Sequence, residues 1–503
     1  MHQTRDKSLK FYVVIGLVSI VVAVLIAILA NTVRNSSRQL QVKAIEPIKI
    51  DSMVVAERLS GAVRIQTISN DGEPAAANTY LNLHAYLSKQ YPVLHKTLKR
   101  EVINNFSLLY TWEGTDPSAA PILLMAHQDV VPIAPGTESQ WTHPPFSGDV
   151  ADGFIWGRGS WDDKGNLLAM MEAVELLIKK GFKPKSTIYL AFGHDEETGS
   201  TAGQEGAKKI SETLQARGVH LAFVLDEGLL IMHQSIKGID SPIALIGIAE
   251  KGYVTLKIST EATPGHSSMP PQRTAIGSLS LAVSKIERDQ FPPVIGEVVD
   301  EMFETLAPEF NGINRYALSN LWLFGPYVRR QLQSNPGASA MLQTTTALTT
   351  IHAGSKENVL PGLAEATVNF RTLPGVETKD VVSHTQKAVN DPSIKVTPSG
   401  SPREASRVSK TSSASYAFLQ QTIREVFPEV LIAPGLMTAT TDSHHFLAIA
   451  DNVYRFTPIR AKQDDLARFH GTNERLSVDN YAEMIRFYYR LMSSPARERI
   501  RLE

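Results

Sequence analysis

Five short clusters of histidine and carboxylate residues could do chemistry in this chain. In His127-Gln128-Asp129, a one-residue spacing puts both ionisable side chains on the same side of an extended chain. A carboxylate there can orient the imidazole of a metal ligand, although the same pair also suits a satisfied strand-end histidine. Gly157-Arg158-Gly159-Ser160-Trp161-Asp162-Asp163-Lys164-Gly165 places two adjacent acids in a glycine-rich turn before a helix. Such acids cap a helix, and a carboxylate at that turn can also bridge two cations. Asp195-Glu196-Glu197-Thr198-Gly199-Ser200 sets three acids in a row, which repel one another unless solvent, a proton or a cation intervenes. Asp226-Glu227-Gly228 and His470-Gly471-Thr472-Asn473-Glu474 complete the set. The chain has no cysteine, so a metal would have to be held by His, Asp and Glu.

The elements that must position these clusters are legible in the apolar pattern. Ile122 to Ala126, Ser186 to Phe192 and Leu221 to Leu225 read as short strands, each ending at or just before acids or histidine. In an open α/β sheet, chemistry gathers beyond the carboxyl ends of the strands. Lys164 to Gly181 carries a helical apolar stripe and a glycine stop. From about Ile248 the order becomes strand (Tyr253 to Thr260), helix (Arg273 to Arg288), strands (Thr346 to His352 and Ala364 to Thr372), helix (Thr378 to Val389) and strand (Ile394 to Thr397). That β-α-β-β-α-β order is ferredoxin-like and reads as an inserted second domain. Asp289 to Gln343 is an elaboration the pattern leaves unassigned, and the first pattern resumes at Ser409. The expected organisation is a tail (1–10), an apolar helix (11–30), a linker (31–47), a catalytic domain in two parts (48–247 and 403–503) and the insertion (248–402).

At 503 residues and 43% hydrophobic content, the chain is too long for one compact core and predicts two or more lobes. Lys and Arg number 50 against 51 Asp and Glu, so a net charge of −1 offers no field for drawing in nucleic acid. Phe11 to Ala30 is an unbroken apolar run of about the length that spans a bilayer. It predicts a single-pass membrane anchor with the following domain outside the cytoplasm. The alternative is a cleaved signal peptide and a secreted protein, but the run is longer than a usual signal core and lacks a clean cleavage site near Ala30. Arg5, Lys7 and Lys10 before the run balance Arg34, Arg38 and Lys43 after it, so charge votes weakly on orientation.

In this order, the five clusters resemble the metallopeptidase M20 family, in its carboxypeptidase S-like and N-fatty-acyl-amino-acid hydrolase branch. The resemblance spans essentially everything after residue 48 and implies an α/β zinc-peptidase domain with an inserted ferredoxin-like lid or dimerisation domain. It implies two zinc ions, with cobalt or manganese as substitutes, held by His127, Asp162, Glu197, Asp226 and His470, Asp162 bridging both. Glu196 matches the general base and Asp129 the carboxylate that steadies His127; the Asp162-Asp163 peptide matches a bond held cis. Between ions about 3.5–4 Å apart a water is acidified, and a base such as Glu196 can pass its proton to the leaving amine. His266, in Thr263-Pro264-Gly265-His266-Ser267-Ser268, matches a histidine that stabilises the oxyanion, often in a partner subunit's site, so a homodimer through the insertion is implied. Arg371 matches a position linked with substrate-carboxylate recognition, for which a guanidinium fork is suited, and Asn358 is a further candidate for that pocket. Thr441-Asp442-Ser443-His444-His445 is expected to border the substrate rather than bind metal.

The expected function is hydrolysis of the amide bond in peptides or N-acyl amino acids that carry a free carboxylate. Two alternatives stand beside it: an aminoacylase-like enzyme for small acyl groups, and a membrane-tethered binding protein that keeps the fold without catalysis. The second should have lost a ligand or the base, whereas every expected position is filled. The sequence contains no HExxH, G-x-S-x-G or G-x-x-x-x-G-K, which removes support for gluzincin, serine-hydrolase and nucleotide-dependent chemistry.

Overall fold

The segment Ile122–His127 is buried at every position, a pattern that suits a central strand covered on both faces. In the computed structural model, which describes residues 2–70, 73–198, 205–233 and 238–502, it lies inside an eight-stranded sheet. The order is Lys99–Ile103, Ser107–Trp112, Ile188–Gly193, Ile122–His127, Leu221–Met232, Ala450–Ala461, Ile243–Glu250 and Leu431–Met437. Ile122–His127 runs parallel to both of its neighbours, and Leu221–Met232 runs parallel to Ala450–Ala461. Parallel pairing brings the carboxyl ends of these strands, and the acidic motifs they carry, to one edge. Gly199 and Ser200 of the third motif lie outside the described residues.

Alternation along the central strand divides the core. Leu124 and Ala126 pack with Leu167 and Met170 of helix Lys164–Lys179 and with Tyr481 and Ile485 of helix Val478–Ser493. Leu123 and Met125 face the other way, toward Ile210 and Leu214 of helix Gly206–Ala216 and toward Phe446. Helix Lys164–Lys179 stops where the sequence predicts. Gly181 adopts φ +75°, the Gly181 amide donates to Ile178 O at 2.8 Å, and the Phe182 amide donates to Leu177 O at 3.0 Å. This pair of bonds satisfies carbonyls that a helix end otherwise leaves open.

The expected strand at Leu221 to Leu225 extends to Met232, which puts Asp226-Glu227 inside the strand rather than after it. Its pairing with Ala450–Ala461 slips there: Asp226 opposes Arg455 while Leu229 opposes Phe456, leaving Glu227 and Gly228 as extra residues. Gly228 has φ +150°, and a Cβ on it would lie 2.7 Å from Arg455 Cβ, so the irregularity requires glycine. Irregularities of this kind re-aim side chains beside active sites.

A second, antiparallel sheet has the order Thr345–Ala353, Leu363–Thr372, Gly252–Glu261, Lys395–Arg403, with helices Ala275–Arg288 and Thr378–Val389 contributing to its core. Taken in chain order this is the β-α-β-β-α-β arrangement read from the sequence. The unassigned segment within it does not extend this sheet. Helices Glu297–Leu306, Ile313–Leu318, Leu321–Leu332 and Pro336–Leu342 pack instead with Ile243 and Ala433, on the last two strands of the first sheet. Lys251 pins the end of this segment by donating to Ala340 O and Gln343 O at 2.9 and 2.8 Å.

The apolar N-terminal run lies in helix His2–Arg34, whose Phe11–Arg34 portion is long and apolar enough to cross a membrane and has no residue buried in its most apolar stretch. The polar stretch after it is strapped to the body. Gln39 Nε2 donates to Ile432 O at 2.9 Å and Gln39 Oε1 accepts from the Ile432 amide at 2.8 Å.

Gly181 offers a clean test of the helix stop, because a Cβ there meets nothing within 4 Å and only backbone strain is at stake. Gly181→Ala is expected to destabilise the protein by about 1 kcal/mol and Gly181→Asn by less, since Asn tolerates the left-handed region. Denaturant unfolding midpoints of the three proteins check this; equal losses for Ala and Asn would mean that φ is not the constraint.

Candidate metal centre

The acids and histidines converge at the carboxyl edge of the parallel strands. His127 ends its strand, Glu196 and Glu197 sit in the turn Glu196–Thr198 after Ile188–Gly193, and Glu227 projects from the irregularity in Leu221–Met232. Asp162 precedes helix Lys164–Lys179 and takes one histidine on each oxygen: Oδ1 lies 3.0 Å from His127 Nε2, and Oδ2 lies 2.8 Å from His470 Nε2. His470 Nε2 is also 3.2 Å from Glu197 Oε1, and His127 Nε2 is 3.8 Å from Glu227 Oε1. Ligand atoms lie within 4.8 Å of one another in each of three overlapping groups: His127, Asp162 and Glu197; His127, Glu196 and Glu227; Asp162, Asp163 and Glu227. The Asp162-Asp163 peptide is cis, as the resemblance implies.

Asp129 does more than steady His127. Its backbone oxygen is 3.0 Å from His127 Nδ1 and its carboxylate Oδ1 is 3.4 Å away. The same carboxylate accepts the Glu196 amide at 3.2 Å and the Glu197 amide at 3.0 Å, so one buried acid fixes both the imidazole and the adjacent glutamates.

Asp226, expected as a ligand, is buried beside the cluster with backbone amides on both of its oxygens. Its Oδ2 accepts the Ser443 amide at 2.9 Å and its Oδ1 accepts the Glu227 amide at 2.9 Å, and it belongs to none of the three groups. The slipped register turns Glu227 into the cluster and leaves Asp226 holding the loop Asp442–Phe446. That loop is also tied to the buried Arg455–Glu250 ion pair, since Glu250 Oε2 accepts the Thr441 amide at 3.2 Å and Arg455 Nε at 3.0 Å. Asp442 reaches the acids: both of its buried carboxylate oxygens lack a hydrogen-bond partner.

Glu474 and Arg158, for which the motifs predict no role, are partners. The two form a fully buried ion pair, and Glu474 Oε1 accepts the amides of Gly159, Trp161 and Asp162 at 2.9, 3.0 and 3.2 Å. Arg158 also donates to His470 O at 3.0 Å and Gly471 O at 3.1 Å, so one pair fastens the turn carrying Asp162 to the loop carrying His470. The signal in the sequence was an acid and a base inside glycine-containing motifs, but nothing local joins residues this far apart. Gly157 lets the turn close: at φ +137° its Cβ would stand 2.8 Å from Pro145 O.

Charge is unbalanced inside this cluster. Burial and the neighbouring Glu197 push the Glu196 carboxyl well above its usual range, and burial together with Asp162 raises Glu197 to about 7. Burial works against charge on His470, yet its bonds to Asp162 and Glu197 raise it to about 10. His127 is likewise driven up by Asp129 and Asp162 against the effect of burial. Buried carboxylates at this density need positive charge to remain ionised, and the two imidazoles supply part of it. Hard oxygen and imidazole donors without thiolates fit divalent cations of the zinc, cobalt or manganese kind.

The remaining candidates lie on the second sheet. His266 is exposed, with Nδ1 2.8 Å from Ser268 Oγ; its strand Gly265–His266 pairs with Val359–Leu360, and the Ser267 amide donates to Asn358 O at 3.1 Å. The structure therefore brings His266 and Asn358 together but leaves both on an exposed face. Arg371 stacks on the Tyr253 ring, with Cζ 4.4 Å from its centroid. Arg403 opposes Tyr253 from the other side and reaches His444 at 3.4 Å, a basic partner the sequence reading missed.

Comparison with known proteins agrees with this architecture. Residues 123–494 match the family described as Peptidase family M20/M25/M40. The chain is 41% identical to the probable carboxypeptidase S-like 2 of Dictyostelium discoideum, over 97% of this chain and 95% of that one. It is also 41% identical to the N-fatty-acyl-amino acid synthase/hydrolase PM20D1 of Mus musculus, over 88% of each. Among solved structures, the M20 family metallo-carboxypeptidase Sso-CP2 from Sulfolobus solfataricus shares the fold, with a TM-score of 0.62 at 17% identity, over 88% of this chain and 99% of that one. With acids and histidines gathered at one sheet edge and the family pattern running through most of its length, this chain belongs to peptidase family M20/M25/M40 and is a hydrolase.

Proposed function

We propose that the centre holds two divalent cations, zinc by its donor set, and hydrolyses the amide bond of peptides or N-acyl amino acids that end in a free carboxylate. The observation that carries this reading is Asp162, whose two oxygens each meet a different histidine. By their pairwise distances, His127, Asp162 and Glu227 would hold one cation, and His470, Asp162 and Glu197 the other, with Glu227 in the place expected of Asp226. When bound, such cations polarise the substrate carbonyl and acidify a water. Glu196, kept out of this ligand set, is the group left to take a proton and return it to the leaving amine. A carboxylate committed to a cation is a poor base, so the two adjacent glutamates divide the work.

The sheet bearing Arg371 and Arg403 acts as a lid over the catalytic edge; it is the insertion expected at 248–402, with its last strand running on to Arg403. Its two guanidinium groups, flanking Tyr253 on adjacent strands, form a cationic face suited to a substrate carboxylate. His266, exposed in a single chain, contributes an oxyanion donor to the site of a second copy, which makes the enzyme a homodimer through this sheet. The names of the two relatives support peptides and long-chain N-acyl amino acids as substrate classes. Phe11–Arg34 anchors the protein in a membrane with the catalytic body outside the cytoplasm.

Metal content should track the proposed ligand set. Chelation should abolish hydrolysis and added zinc should restore it; Glu227→Gln should lower the metal bound per chain, whereas Asp226→Asn should leave it near two. Elemental analysis of the three proteins reads this, and a metal loss confined to the Asp226 variant would reinstate Asp226 as the ligand.

Glu196→Gln keeps the side chain's shape and removes the base. Turnover should fall by about 10²–10⁴-fold at unchanged metal content; loss of metal would make Glu196 a ligand instead.

Arg371→Ala should raise KM for a free-acid substrate far more than for its matched amide. Steady-state kinetics on the pair decide the matter, and an undiminished preference for the free acid would remove Arg371 from carboxylate recognition.

A further inference from the structure

Helix Leu321–Leu332 is apolar on two opposite sides. Leu321, Phe324, Val328 and Leu332 turn inward, against the core that also contains Val299, Phe303 and Phe310. Trp322, Leu323, Pro326 and Tyr327 turn outward, with Trp322 57% and Tyr327 59% exposed. The spacing i, i+1, i+4, i+5 is one continuous stripe, and Ile313 of the preceding helix is 81% exposed. A helix apolar on both sides is unusual at a water-facing surface.

The position of this stripe identifies what covers it. Asn320, fully buried at the start of the helix, donates from Nδ2 to Thr32 Oγ1 at 3.1 Å and to Ile28 O at 3.3 Å. Asn35 donates to Ser319 Oγ at 3.4 Å, and Arg38 pairs with Glu304 at 2.8 Å. Ile28 belongs to the span-length segment Phe11–Arg34. At 1.5 Å of rise per residue, the contact at Ile28 lies only about 9 Å along the helix from Arg34. If the segment crosses a bilayer, the helices bonded to its final turns sit at headgroup depth. Tryptophan, tyrosine and arginine are the residues that suit that layer, and Arg330 continues the exposed stripe.

We propose that Ile313–Leu318 and Leu321–Leu332 form a foot that rests in the interfacial layer of the membrane crossed by the N-terminal helix. This rests on the anchor reading given above and goes beyond it: the catalytic body is docked on the lipid surface and held in one orientation, not tethered at the end of a loose linker.

The test uses the full chain reconstituted into phosphatidylcholine vesicles, with and without lipid brominated near the glycerol end of its acyl chains. Trp112, Trp141, Trp156 and Trp161 are at most 8% exposed, so Trp322 is the tryptophan that lipid can reach. Bromolipid should quench the emission of the full chain, and Trp322→Phe should remove most of that quenching while retaining hydrolysis of a soluble substrate. Flotation after alkaline carbonate washing reports the anchor separately. Protein that floats but shows no Trp322-dependent quenching would overturn the foot and leave the anchor standing. Protein that does not float would overturn both. Floated protein that is unquenched and dimeric, and that Trp322→Asp renders monomeric, would assign the stripe to a second copy and reject the membrane.

Discussion

Carboxylates packed together away from water cannot all stay charged without cations between them, and the catalytic edge of this protein is arranged around that difficulty. Glu196, Glu197, Asp163, Glu227 and Asp442 are all held above their usual carboxylate range by burial and by one another. A site built only for stability would replace such a collection with apolar side chains. The frame around it makes sense as a holder for positive charge: parallel strands deliver the acids, and Asp129 and Glu474 fix the backbone amides beside them.

Three of the motifs contain adjacent acids, and in two of them neighbouring acids are sent in different directions. Glu196 and Glu197 leave a turn whose amides are both clamped by Asp129, so their side chains diverge. Asp226 and Glu227 diverge because the strand pairing slips by two residues, sending one toward Ser443 and the other toward His127. Asp162 and Asp163 stay closer together: Asp162 meets both histidines, while Asp163 Oδ2 accepts the His127 amide at 3.3 Å and remains grouped with Asp162 and Glu227. Neighbouring acids in a sequence are therefore poor guides to shared function; the backbone between them decides.

This explains what could and could not be read from residues alone. Apolar runs disclosed the strands, because burial on both faces leaves few polar residues to confuse the pattern, and the β-α-β-β-α-β order was plain from alternation and helical spacing. The different directions taken by Asp226 and Glu227 were hidden, since they depend on a register slip opposite Arg455, more than two hundred residues away. The Arg158–Glu474 pair was invisible for the same reason. The helices between 297 and 342 escaped assignment because their apolar faces match the last strands of the first sheet, not the sheet that surrounds them in the chain. His266, Asn358 and Arg371 came from resemblance alone, as exposed or strand-borne polar residues carry no periodic signal.

The bond between Asp162 and His470 spans 308 residues, and the Arg158–Glu474 clasp spans 316. Such distant pairings form late, because the chain between them must be closed into a loop before they yield any stabilisation. During synthesis, the ribosome would have released the first half of the site long before the loop that completes it existed. A nascent chain thus carries its acids but not the clasp that sets their geometry, and the site stays unassembled until the loop bearing His470 and Glu474 has emerged.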